Sequence, residues 1–211
     1  MKANNYVWYA SYGSNMNKQR FLCYIQGGTP KGSDKAETGC RDHSLPVDEK
    51  AYVMNYQMVF AKKSKRWQDQ GVAFIGLKKD EDIRTYSNMY LITEEQFIDV
   101  VSQENHGIED LILNLGEVRQ LGSKVFRDSW YGNIVYLGED AGYPIFTFTH
   151  PEELEYVEIR KPSPAYLKTI INGLKNDLDL SDGEIFTYIS KLPGIKQNMT
   201  IDEIETIIKD S

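Results

Sequence analysis

The run Tyr6-Val7-Trp8-Tyr9-Ala10-Ser11-Tyr12 constrains the fold more than any other stretch of this chain. Its aromatic and β-branched side chains predict a strand covered on at least part of both faces, and Gly13 ends it. The period then changes at once. Phe21, Leu22 and Ile25 recur at helical spacing over 15–26, and Gly27-Gly28 supplies a stop. Strand, tight glycine turn and helix therefore follow one another directly.

Residues 27–50 are polar, rich in Gly, Pro and Asp, and without periodicity. They read as a long loop, either a lid or binding segment or a tolerated surface insertion. Strand patterns follow at 51–61, 71–77 and 87–92, with a basic segment, 62–66, expected as a solvated turn. Thr93 and Gln96 form a capping box that opens a helix. Further strands are expected at 118–121, 133–137 and 144–148, and helices near 163–176, 181–192 and 200–209. The pairs Ser181/Glu184 and Thr200/Glu203 again have capping-box spacing. Strands in the middle with helices at both ends indicate an α+β fold, expected as a small mixed β-barrel flanked by helices. With 211 residues and 41% hydrophobic content, one domain over 1–211 is expected, its C-terminal part helical from about 163.

The acidic balance, a formal net charge of −7, disfavours nucleic acid as a partner. Met1-Lys2-Ala3-Asn4-Asn5 has no apolar signal core, and no stretch approaches the ~20 apolar residues of a membrane helix. No membrane association is expected, and the location is expected to be cytoplasmic. Cys23 and Cys40 are too few for a disulfide framework, and Cys23 reads as a small core residue. His43, His106 and His150 show no metal-ligand spacing, so no metal is expected.

Chemistry has two candidate places. At Tyr12-Gly13-Ser14-Asn15 a glycine between strand and helix lets backbone approach a ligand, and first-turn N–H groups suit a carboxylate or phosphate. Ser14 or Asn15 could equally be a plain N-cap. The second place is Glu104. Phe97, Val100 and Val101 mark a buried stripe at i, i+3 and i+4, and the i+7 position is Glu104. A carboxylate on an apolar stripe needs compensation, and burial would push its pKa toward the range where it both takes and gives a proton. Alternatively, it lies in a frayed last turn and reaches solvent or a lysine. Glu94, Glu95 and Asp99 fall off the stripe and read as solvated charges.

With these residues in place, the chain resembles the γ-glutamyl cyclotransferase superfamily. The likeness rests on Tyr9 with Tyr12-Gly13-Ser14-Asn15, the strand Gln70-Gly71-Val72-Ala73, the pair Gln103-Glu104, and Pro162-Ser163-Pro164-Ala165-Tyr166-Leu167-Lys168. These occur in the family's order and span most of the chain. The 27–48 loop is longer than in compact members, and Leu111 stands where a second pocket tyrosine is expected. The resemblance implies a cofactor-independent enzyme acting on a small-molecule γ-glutamyl substrate: the α-amine closes onto the side-chain carbonyl, giving 5-oxoproline and a released amine, amino acid or peptide. It implies Glu104 as the acid–base, Gly13, Ser14 and Asn15 as holders of the α-carboxylate, and Tyr9, Tyr12 and Tyr166 as pocket residues. A non-catalytic binding or regulatory module and a water-using amide hydrolase are the alternatives. The oligomeric state is not legible.

Overall fold

Strand β1 (Tyr6–Ser11) is buried along nearly its whole length. The computed structural model describes residues 5–211, so the opening segment read for a signal lies, up to residue 4, outside the described residues. After β1 come α1 (Lys18–Gln26), β2 (Asp48–Met54), β3 (Tyr56–Ser64), β4 (Gln70–Lys79), β5 (Thr85–Thr93), α2 (Glu94–Glu104) and α3 (Leu115–Leu121). The chain continues through β6 (Ser123–Val125), β7 (Asn133–Asp140), β8 (Tyr143–Thr149), α4 (Pro164–Asn176), α5 (Asp182–Ile189) and α6 (Ile201–Lys209).

The fold is α+β, and its sheet is open rather than the expected barrel. Six strands run in the order β2-β5-β1-β8-β7-β6, while β3 and β4 form a separate two-stranded sheet. Closure would require the edges β2 and β6 to meet, but β6 has only three residues, and β3 leaves β2 at Asn55 to pair with β4 instead. The pairing of β1 with β8 is parallel, Trp8 opposite Ile145, whereas β7 and β8 are antiparallel.

The chain divides into two compact units, each assembled from three segments. The first comprises residues up to Ser11, Lys18–Lys50 and Met89–Pro151; the second comprises Tyr12–Asn17, Ala51–Asn88 and Glu152–Ser211. The first unit's core joins Val7, Tyr9, Phe21, Phe97, Val100 and Phe148. In the second, Leu167, Ile170, Ile171 and Leu174 form the buried face of α4, at helical spacing.

Several local expectations change. Residues 118–121 are helical, because Asn114 caps α3 by accepting from the Glu117 N–H and Gly122 ends it. The 51–61 run is two strands interrupted at Asn55, and the expected helix over 15–26 is a 3-10 turn, Ser14–Met16, separated from α1 by the extended residue Asn17. The basic segment begins inside β3, which continues to Ser64. All three capping boxes form.

Residues 39–44 of the long loop are fastened to α2. Three polar residues on α2, at i, i+3 and i+7, hold them. The Gln96 amide donates to the carbonyls of Asp42 and Ser44, at 3.1 and 2.8 Å. The Asp99 carboxylate accepts from the Arg41 N–H at 2.8 Å and pairs with its guanidinium, and the Gln103 carbonyl accepts from the Gly39 N–H at 3.2 Å. Asp99 is therefore an anchor and not a solvated charge.

Cys23 is only half-buried, and it is Cys40 that lies in the core. Burial, aided by Asp99 and Asp42, pushes the Cys40 thiol up. The unfolded chain ionises near the ordinary value while the folded chain does not, so this contribution to stability is lost as pH rises past roughly 8.5. Thiol-labelling at mildly alkaline pH is expected to modify Cys40 only after denaturation; rapid native labelling of Cys40 would contradict this.

Candidate functional site

Tyr166 owes its position to a strong local start signal. Ser163 is the N-cap of α4, its hydroxyl accepting from the Tyr166 N–H at 3.2 Å, and Pro164 occupies the first turn. The family-like Ser-Pro-x-Tyr stretch is thus a helix N-terminus that places one tyrosine at its third residue. The Tyr166 ring packs edge-on against Phe60, with centroids 6.2 Å apart, and its hydroxyl accepts from the Ala73 N–H at 3.1 Å.

Gly13 completes this group. A β-carbon at Gly13 would lie 3.2 Å from the Tyr166 hydroxyl oxygen and 3.7 Å from the Ala73 Cβ, so bare backbone lets the turn sit against both. Within the turn the Met16 N–H donates to the Gly13 carbonyl and the Asn17 N–H to that of Ser14. The N–H groups of Gly13 and Ser14 are not used by this ladder, as at any helix start. Asn15 and Met16 are buried and Ser14 is half-buried. Tyr12, 5% exposed, enters the turn from β1. Gly173 on α4 lies so close beneath that a β-carbon there would meet the Asn17 nitrogen and the Met16 carbonyl carbon, each at 2.9 Å. The second unit therefore gathers Tyr12, Gly13, Ser14, Asn15 and Tyr166, which span more than 150 positions of sequence.

Removing the hydroxyl by Tyr166→Phe leaves the Ala73 N–H without its acceptor. The expected cost is about 1–2 kcal/mol of stability in denaturant unfolding, and an unchanged midpoint would contradict it.

Glu104 and Tyr9 belong to the first unit. Glu104 is the last residue of α2 and is half-buried, whereas Phe97, Val100 and Val101 on the same stripe are completely buried. Its two neighbours fix the backbone that carries it. The Gln103 amide donates to the Tyr24 carbonyl at 2.9 Å. Asn105, 5% exposed, donates to the Val101 and Tyr131 carbonyls at 2.8 and 3.2 Å and accepts from the Ser129 hydroxyl at 2.6 Å. Asn105 thus terminates the helix by bonding its last-turn carbonyl. The Tyr9 ring is packed among Phe21, Phe97 and Phe148, with centroids 5.6, 5.9 and 5.2 Å away. Among the described residues, no cluster of three or more His, Cys, Asp or Glu side chains could hold a metal, and no helix is long and apolar enough to cross a membrane.

No protein-family model matches the chain. A solved γ-glutamyl cyclotransferase superimposes with a TM-score of 0.52 at 16% identity, over 98% of this chain and all of that one. This chain has the γ-glutamyl cyclotransferase fold. An uncharacterized protein from Homo sapiens matches similarly, with a TM-score of 0.51, 16% identity, and coverage of 97% and 99% of the two chains. Among curated proteins, histone deacetylase 5 of Arabidopsis thaliana is 37% identical over 201 residues, 88% of this chain. The chain spans only 30% of that relative's length.

On the cyclotransferase fold, the likeness of the Gly71 strand resolves to one atom, the Ala73 amide that fixes Tyr166. Sequence reasoning missed Trp67. Its ring lies 4.7 Å from that of Tyr166, and the available signal was a tryptophan at the end of a run otherwise made of lysine, serine and arginine.

Proposed function

We propose that this protein closes a γ-glutamyl group to 5-oxoproline and releases the attached amine, amino acid or peptide, without a cofactor. The observation that carries the reading is the convergence of the Gly13 turn, the Ala73 amide and the Tyr166 hydroxyl within one unit of a cyclotransferase fold. In this reading the N–H groups of the turn hold the glutamyl α-carboxylate, and Tyr12 and Tyr166 shape and polarise the site.

Attacker and target belong to one molecule, so a curled substrate already has most of the advantage of proximity, and proton movement remains. The α-ammonium must lose a proton before its nitrogen can bond to the γ-carbonyl carbon. The departing nitrogen must gain one as its bond to that carbon breaks. Glu104 takes a proton from the attacking nitrogen and delivers it to the departing one; the ring nitrogen gives up its second proton to the released amine, which leaves as an ammonium, so Glu104 ends as it began.

The test is incubation of the purified protein with γ-glutamyl amino acids, γ-glutamyl amines and glutathione, followed by detection of 5-oxoproline. Release of free glutamate instead would mark a water-using amide hydrolase.

The 37% identity to part of a histone deacetylase favours one second reading, a binding or regulatory module that retains this fold beside other catalytic machinery. Saturable binding of a γ-glutamyl compound without any product would select it. Deacetylation of acetyl-lysine peptides by this chain alone would overturn both readings.

A further inference from the structure

Trp67 ends a short 3-10 turn, Lys65–Trp67, that joins β3 to β4. It is half-buried, and its ring is tilted 55° against Tyr166 at a centroid distance of 4.7 Å. Tyr166 is thereby caught between Phe60 on one side and Trp67 on another, while its hydroxyl bonds Ala73 beside Gly13.

The backbone that presents Trp67 is strained. Lys62, Gln68 and Asp69 have φ of 63, 62 and 57°, three of the seven left-handed non-glycine residues among those described. That conformation disfavours side chains bearing a β-carbon, and it persists where the surrounding structure enforces it. A plain solvated hairpin would place glycine or asparagine at such positions. The hairpin is also cationic: Lys62, Lys63, Lys65 and Arg66 stand against the single acid Asp69, in a chain of net charge −7. Lys63 and Lys65 are exposed.

We infer that Trp67 and the lysines beside it form the leaving-group side of the site, selecting γ-glutamyl compounds whose released amine carries an aromatic or bulky apolar side chain and a free carboxylate. This rests on the cyclisation proposed above. The turn at Gly13 is assigned to the α-carboxylate of the glutamyl half. Tyr166 itself is buried, so the aromatic surface beside its ring is that of the half-buried Trp67, which favours a flat apolar group. The cations at the hairpin tip favour an anion on that same group, with a strength that falls as salt screens them.

The deciding measurement is kcat/KM for 5-oxoproline release from γ-glutamylphenylalanine, γ-glutamylglycine and γ-glutamylphenethylamine, at low and high salt. The first is expected to exceed the second by about tenfold, the size of a stacking or hydrophobic contact in a specificity pocket, and the third by about two- to fivefold at low salt, the size of an exposed ion pair. Trp67→Ala should erase the ratio of phenylalanine to glycine compound, and Trp67→Phe should restore most of it. Lys63→Glu with Lys65→Glu should shrink the ratio of phenylalanine to phenethylamine compound and remove its salt dependence. An equal loss on all three substrates in Trp67→Ala, unrescued by phenylalanine, would reduce Trp67 to a structural prop and overturn the inference. Turnover of all three with equal efficiency by the wild type overturns it alone. Turnover of none overturns the cyclisation reading and this inference together.

Discussion

Glu104→Gln is expected to lower 5-oxoproline release at least ~100-fold, the usual cost of a lost general acid–base, while leaving the fold in place. Glutamine preserves the shape of the side chain and removes only its ability to take up a proton. The helix end does not depend on that ability. Gln103 is tied to Tyr24 and to Gly39, Asn105 to Val101, Tyr131 and Ser129, and the Gly107 N–H to the Ser102 carbonyl. Thermal unfolding should therefore change little, and the loss should fall mainly on kcat, because the proposal assigns the α-carboxylate to the Gly13 turn and not to Glu104. An aspartate in the same place retains the acid and withdraws it by one methylene, so Glu104→Asp should recover part of the rate. Near-normal turnover in Glu104→Gln would sink the mechanism, whatever substrate is found.

How much of this was legible in the sequence depended on the reach of the interaction involved. The capping boxes at Thr93, Ser181 and Thr200 could be read because each joins a side chain to backbone three residues away. Helix α3 could not, since Val118 to Leu121 are too few to show a period, and the deciding residue, Asn114, lies outside them. The open sheet was illegible for a longer-range reason: closure depends on whether β2 and β6 meet, which no local pattern encodes.

The site divides the same way. The Gly13 turn announces itself by the change of period around it, and the start of α4 by Ser163-Pro164. The bond between Ala73 and Tyr166 joins residues 93 apart, and nothing near either predicts it. At Glu104 periodicity identified the stripe correctly, and the structure adds that the stripe reaches this residue at the margin of the core. Asp99 shows the opposite error: by charge and position it looked solvated, and its role came from Arg41 in a distant loop.

Gly173→Ala is expected to destabilise the protein and loosen the turn together. Alanine is the better helix former, and at an unconstrained interior position the exchange would stabilise by about 0.5–1 kcal/mol. Here the added carbon meets the main chain of Met16 and Asn17 at 2.9 Å, and main chain cannot rotate aside as a flexible side chain can. Overpacking of this kind costs about 1–3 kcal/mol, which outweighs the propensity gain. The net cost of about 0.5–2 kcal/mol should lower the melting temperature of a chain of this length by about 1–8 °C. The strain is not spread evenly. Either α4 backs away, carrying Tyr166 from Ala73, or the 3-10 turn shifts, carrying the N–H groups of Gly13 and Ser14 with it. Both movements degrade the proposed hold on the α-carboxylate more than proton transfer, so KM for a γ-glutamyl substrate should rise further than kcat falls. A higher melting temperature with unchanged KM would mean that α4 yields freely, and that the turn is not clamped between this helix and β4.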